Sequence, residues 1–465
     1  MKSFFAELRQ REFGRLDADG HSYLDYTGGG LYPESLARGH ADFLCSGVFG
    51  NPHSRNPTSL ASTRAVEETR ARLFNFFDAD PAGYEVIFTY NATAALKLVG
   101  ESYPFQAESR LLLTADNHNS VHGLREYASA RGAEVRYLAP DAELRVPDAQ
   151  VEDGLAGAEG EGNLFVFPAQ SNFSGVQHPL KWIGRARERG FDTFLDAAAF
   201  VPTNRLSISS CEPDFACVSF YKMFGFPTGV GALLARRETL GKLRRPWFGG
   251  GTVRFVSARS RVRVLYPSHR GFEDGTVNYL GIPAVSRGLD FLAGVGVERV
   301  HEHVTGLAGL LLRELQALRH GNGAPLASVY GPAGTQKRGA TVAFNLLDPD
   351  GRVVDFRLVV ERAGAANTSL RGGYFCNPGA AEFAFGHAGE EVDRCADPLS
   401  AETFTLESFS ACMGERPVGA VRASLGIASN ETDVRHFIRT VEDFRDQVSV
   451  PQGAGVRVAA EGGTA

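Results

Sequence analysis

The sequence predicts an α/β fold in which a mostly parallel sheet forms a large domain and a smaller α+β unit follows it. Two observations lead there. From about Tyr84 to Arg237 short apolar runs alternate with longer helical patterns, and after Pro283 that alternation gives way to long helical periodicity and a few isolated strands. With 465 residues, 43% hydrophobic, the chain can bury a core of this size.

The strands read in order are Val86-Ile87-Phe88, Leu111-Leu112-Leu113, Val135 to Leu138, Leu164 to Phe167, Thr193-Phe194-Leu195 and Phe215 to Val218, each bounded by turn or helix-start residues. A further apolar run, Val230 to Ala235, follows a glycine-rich turn. Between strands, Asp141 to Glu161 is acidic and rich in Gly and Ala, which predicts a surface excursion. Helical periodicity spans Ala284 to Leu318, strands are expected around Thr341 to Leu346 and Val421 to Leu425, and a last helix around Asp433 to Val448. The expected organisation is an N-terminal segment (1–30), a large domain (31–282), a small domain (283–448) and a flexible tail (449–465).

Composition narrows the class. A net charge of -6 argues against general nucleic-acid binding. Lys2, Glu7, Arg9, Arg11 and Glu12 interrupt the N-terminus, and no segment has the length and apolarity of a membrane span, so a cytoplasmic protein with no membrane partner is expected. Six cysteines without a CxxC pair predict reduced thiols, mostly inert filler, and no disulfide framework; no metal site is expected. Nine basic residues and one acid lie between Arg236 and Arg263. That segment is either a solvated or subunit-contacting surface or a rim that attracts an anionic partner.

In open parallel sheets ligands sit beyond the carboxyl ends of the strands. The residues there are polar: Asn91-Ala92-Thr93, Asp116-Asn117-His118, Gln170-Ser171-Asn172, Asp196 and Tyr221-Lys222. Lys222, delivered by an apolar strand into a glycine-rich turn, suits Schiff-base chemistry, because burial disfavours the ammonium and frees a nucleophilic amine. Asp196, followed by three alanines, can keep a pyridine nitrogen protonated or simply cap a helix. Asn91-Ala92-Thr93 opens a helix whose free amides favour a phosphate. His118 can stack on a flat ring and move protons, or only begin a helix.

The order of a Thr-bearing helix start, a strand-end His, Ser-Asn before Gly, a strand-end Asp and Ser-x-x-Lys resembles the fold-type-I, class V branch of pyridoxal 5′-phosphate (PLP) enzymes, which includes the cysteine desulfurases. Gly50 to Ser54, Thr93 to Val99, Pro168 to Gly175, Ser219 to Gly231, Phe272 to Thr276 and Phe375 to Gly379 further resemble the N-terminal PLP domain of the molybdenum cofactor sulfurases, with the likeness running from about Phe13 to Asp446. The resemblance implies PLP as cofactor, Lys222 as Schiff-base lysine, Asp196 on the pyridine nitrogen and His118 stacked on the ring. It also implies Asn172 near the ring hydroxyl, with Thr93, the Ala92 amide and Ser219 around the phosphate. Thr276 matches a residue that reaches the neighbouring subunit's phosphate, hence a homodimer. Arg371 and Arg422 match the positions that bind the substrate carboxylate, and Cys376 matches the desulfurase nucleophile.

The chain departs from that pattern at Tyr374 and Ala381, where the sulfurases commonly have further cysteines, and at Ala199, where many desulfurases have a glutamine. It ends about where the sulfurases continue into a domain that binds the molybdenum cofactor, which leaves the sulfur acceptor open. The activity implied is cleavage of the C–S bond of L-cysteine through an enzyme persulfide. The alternatives are a PLP-dependent β-lyase, transaminase or epimerase on a specialised amino acid, and a sulfur carrier or scaffold with a vestigial site. The intact set Lys222, Asp196, His118 and Arg422 stands against the last.

Overall fold

A computed structural model describes residues 2–158, 160–396, 402–414 and 416–448. The proposed tail 449–465 lies outside the described residues.

Every anticipated strand forms. Tyr84–Thr89 (β1), Arg110–Thr114 (β2), Glu134–Leu138 (β3), Asn163–Pro168 (β4), Phe191–Asp196 (β5), Phe215–Ser219 (β6) and Gly231–Arg236 (β7) make one seven-stranded sheet in the order β1-β7-β6-β5-β4-β2-β3. The pairs from β6 to β3 are parallel, and β7 alone runs against both its neighbours. The reversal has a simple cause. Only eleven residues, 220 to 230, connect β6 to β7, too few for the crossover that a parallel neighbour needs. The inner strands are buried along nearly their whole length, which is why they read as continuous apolar runs rather than as alternating ones. Edge strand β3 is at least partly exposed at all positions but Leu138.

A second, antiparallel sheet is built from Ala327–Tyr330 (β8), Thr341–Leu346 (β9), Arg371–Gly373 (β10) and Ala420–Ser424 (β11), in the order β8-β9-β11-β10. The long periodicity after Pro283 is two helices, Ile282–Val295 and Val297–Ala317, separated by Gly296, whose φ of +89° ends the first. Val300, Val304, Leu307, Leu311 and Leu315 form the buried stripe of the second. The N-terminal segment is laid against this second sheet. Ser22 and Tyr23 pair with Thr368 and Ser369, and Arg9 donates to Asp433 at 2.6 Å. The acidic excursion contains its own helix, Asp148–Leu155, anchored by buried Val151 and Leu155.

One expectation is corrected. Cys395, on helix Gly389–Ala396, is disulfide-bonded to Cys412, on helix Leu406–Met413. The two lie 17 residues apart without a recognisable motif, and their approach depends on how the helices pack around Phe409, Met413 and Val418. Cys45, Cys211, Cys217 and Cys376 are free.

The basic segment divides. Arg236, Arg237, Lys242 and Arg245 pair with Asp214, Glu85, Asp192 and Asp274. Arg254 and Arg263 lie on a two-stranded hairpin, Val253–Val256 with Arg263–Leu265, whose Phe255 and Val264 are exposed, with Arg259 and Arg261 in the intervening turn.

Candidate active site

The carboxyl ends of β4, β5 and β6 and the start of helix α1 (Ala92–Ser102) surround a cavity. Lys222 enters it from a short helix, Phe220–Phe224, that β6 feeds directly. Gly225 ends that helix at φ +76°, and a Cβ there would lie 2.2 Å from the Tyr32 amide nitrogen. The segment Thr27-Gly28-Gly29-Gly30 packs on the same turn, with the Gly30 amide donating to Tyr221 O at 3.0 Å. These close approaches hold the lysine backbone rigid. Burial lowers the Lys222 pKa, opposed by the attraction of Asp196, and among the described residues nothing hydrogen-bonds its amine.

Asp196 lines the cavity from the last position of β5. Its Oδ1 accepts from the Ala198 amide at 3.0 Å across a turn, and no helix starts there, so Asp196 is not a helix cap; Oδ2 has no hydrogen-bond partner among the described residues. At the opposite end Asn91 caps α1 by accepting from Ala94 N at 2.9 Å. Ser219 Oγ accepts from the Ala92 amide at 2.9 Å, so that amide is engaged by a side chain rather than open to a ligand. The Thr93 and Ser120 hydroxyls lie 2.7 Å apart on the cavity wall. An unsatisfied carboxylate oxygen, a part-buried amine without a hydrogen-bond partner and a hydroxyl-lined helix N-terminus fit the pyridine nitrogen, aldehyde and phosphate of PLP.

His118 lines the same cavity and also begins helix α2 (Asn119–His122), as the helix-start reading expects. Its Nδ1 accepts from the Ser120 amide at 3.1 Å, which leaves the proton of the neutral ring on Nε2. Burial, then the positive charge of Lys222, lowers its pKa, while Asp196 raises it. By NMR, the His118 midpoint is expected below 6.5 in the cofactor-free protein, and higher in Lys222→Ala because a repelling cation is gone. A midpoint unmoved by that substitution would place the lysine charge elsewhere.

Cys376 does not line this cavity, but its segment is tied to it. Asn172, which does, donates from Nδ2 to Phe375 O at 2.7 Å. The Asn119 amide donates to Cys376 O at 2.7 Å. Buried Asn377 donates to Asp116 O at 2.7 Å and to Asn172 Oδ1 at 2.9 Å, while capping helix α3 (Pro378–Phe385). Both ends of the Asn172 amide are therefore engaged by the cysteine loop. Phe375 and Cys376 are held at φ +56° and +54°, a costly backbone for residues with a Cβ, and the Cys376 side chain is exposed.

Arg422, buried on β11, lies near enough for its charge to lower the pKa values of Lys222 and His118, and Arg371 is its partner on β10. Both pair with Asp25, a residue that the strand-end pattern did not single out. The available signal was local: Asp25 and Tyr26 precede Thr27 and three glycines, a run that implies close backbone packing. Asn377 was likewise missed as a clamp, although Asn-Pro-Gly is a recognisable helix start. Thr276 is not brought to the Lys222 cavity within the chain. It lines a separate, apolar cavity with Phe88 and Ile282, and its hydroxyl accepts from Asn51 Nδ2 at 3.3 Å.

Comparison with known proteins agrees with this geometry. The chain is 37% identical to a molybdenum cofactor sulfurase of Bos taurus over 94% of its own length and 51% of the relative's, and 35% identical to one of Arabidopsis thaliana over 93% and 57%. It thus spans about half the length of the curated relatives it matches. Among solved structures, a cysteine desulfurase from Thermococcus onnurineus superposes with a TM-score of 0.79 at 22% identity, over 95% of this chain and 98% of that one, a likeness of fold. The family model described as aminotransferase class-V matches residues 22–437, and with that match the chain belongs to the class-V aminotransferase family, enzymes of the fold-type-I architecture whose cofactor is pyridoxal 5′-phosphate.

Proposed function

We propose that the chain is a cysteine desulfurase-like sulfurtransferase, which cleaves the C–S bond of L-cysteine and keeps the sulfur on Cys376 as a persulfide. The observation that carries this reading is the cysteine loop. An exposed thiol on a strained backbone is tethered by Asn119, Asn172 and Asn377 to the turn that bears His118. Filler cysteines need no such clamp. The sulfurase relatives support the same assignment.

When bound, PLP supplies a carbonyl that captures amines and a ring that withdraws electrons from the substrate α-carbon. Asp196 Oδ2 would hold the ring nitrogen, and Thr93 and Ser219 would hold the phosphate. Lys222, with its pKa lowered by burial, serves as a base that takes the α-proton on Nζ and returns it. His118, which lines the cavity and keeps its proton on Nε2, can pass a proton to a departing group. Arg422 and Arg371 orient the substrate carboxylate with planar donors. The net step balances as L-cysteine plus the Cys376 thiol giving L-alanine plus the Cys376 persulfide: the S–Cβ bond breaks, an S–S bond and a Cβ–H bond form, each of the two sulfurs is oxidised by one electron and Cβ is reduced by two.

We further infer a cofactor-binding domain over 31–282 and a smaller domain over 283–448. Thr276 lies outside the Lys222 cavity, which supports a homodimer in which it serves the partner's site. Among the described residues no helix is long and apolar enough to cross a membrane, and the cytoplasm is the compartment we assign. Incubation of the purified protein with L-cysteine should yield alanine and one extra sulfur atom on the peptide carrying Cys376 by mass spectrometry. Pyruvate and ammonia instead of alanine would replace this reading with β-elimination.

A further inference from the structure

Arg371 and Arg422 face each other in register on neighbouring antiparallel strands, and one carboxylate is shared between them. Asp25 Oδ2 accepts from Arg371 Nη2 at 2.6 Å and Nε at 3.0 Å, while Asp25 Oδ1 accepts from Arg422 Nη2 at 3.0 Å. The side chains of Arg422 and Asp25 are only 3% and 11% exposed, so water screens this contact little. Arg422 Nη1 is spent on Asn172 O at 3.0 Å, but its buried Nε has no partner. Gly28 closes the cluster. A Cβ there would lie 2.5 Å from Asp25 Oδ2 and 2.6 Å from Arg371 Nη2, so the site is built around the shared carboxylate.

Two guanidinium groups and one carboxylate leave a single net positive charge. We propose that Asp25 is a specificity-determining residue, which limits the arginine pair to one net charge and so selects amino acids with a single acidic group. Substrates with a second one, such as aspartate or cysteine sulfinate, are disfavoured. The inference rests on Arg371 and Arg422 being the carboxylate site of the proposed function. One carboxylate can use the remaining donor of the half-exposed guanidinium, Arg371 Nη1, beside the buried charge of Arg422. A second acidic group would meet a neutralised remainder and the negative charge of Asp25 itself. Without Asp25 the same arginines would form a doubly charged site suited to a dianion.

The test is titration calorimetry of the holoenzyme at low salt, with propionate as monoanion and succinate as dianion. Asp25→Asn, nearly isosteric, is expected to raise the ratio of succinate to propionate affinity by about tenfold or more, the scale of one unit charge at short range in a partly screened site. Asp25→Glu should restore the wild-type ratio, which a merely structural ion pair would not predict. An unchanged ratio in folded Asp25→Asn, or equal loss of both ligands, would overturn the proposal. Should Asp25→Asn fail to fold, Arg371→Gln, at a half-exposed position, decides. With Asp25 retained it leaves no net charge, so propionate binding should weaken by about tenfold, and undiminished binding overturns the proposal. These ratios need no sulfur transfer. Wild-type enzyme that fails to form the Cys376 persulfide yet shows them would sink the desulfurase reading alone.

Discussion

Replacing Lys222 with alanine is expected to leave a folded protein with no covalently held cofactor and with turnover lowered by roughly four orders of magnitude, the upper range for loss of a positioned base. The substitution removes a side chain whose amine makes no hydrogen bond among the described residues. The rigid turn around it is held by backbone contacts from Gly30 and Gly225 rather than by the lysine. Stability should therefore change little, while the yellow colour trapped by borohydride on the wild-type lysine should disappear. A normal PLP–peptide adduct in the variant, found by mass spectrometry after reduction, would sink the assignment. The pH dependence follows from the direction of the shift. Burial lowers the Lys222 pKa, so its neutral amine is present at a pH where a solvent-exposed lysine is almost wholly protonated, and Asp196→Asn should lower it further by removing the opposing charge.

Cys376→Ser should abolish persulfide formation and lower alanine production by roughly three orders of magnitude or more, because a serine hydroxyl of similar size is a far poorer nucleophile at neutral pH. Cofactor binding should persist, since Cys376 does not line the cavity and its loop is held through backbone carbonyls that serine retains. Substrate should still perturb the cofactor spectrum. Retention of most turnover would mean that the thiol takes no part, and a β-lyase, transaminase or epimerase reading would take its place. Asn377→Ala offers a graded version. It removes the clamp to Asp116 and Asn172 and the cap of α3 while leaving the thiol in place.

Much of this protein was legible in its sequence because the informative signals are local. Continuous apolar runs predicted buried strands, and the polar residues after them predicted where a ligand would sit, since side chains at strand ends must face the same edge of a parallel sheet. Lys222, Asp196, Asn91 to Thr93 and His118 were found in that way. Asp25 was not, because its partners are 346 and 397 residues away and nothing in its neighbourhood announces a shared carboxylate. The Cys395–Cys412 pair was missed for the same reason, and the reversal of β7 follows from a connection whose length is visible only when both strand ends are located.

The sequence by itself determined the class of fold, the family and most of the polar residues that line the Lys222 cavity, because periodicity and short motifs encode what neighbouring residues do. Tertiary structure decided how the charges and the thiol are shared: that Asp25 links two arginines, that the Ala92 amide is satisfied by Ser219, and that three asparagines clamp the Cys376 loop. Such contacts join segments distant in the chain, and a buried hydrogen bond or ion pair is worth what its partner and its exclusion from water make it, neither of which is written beside the residue.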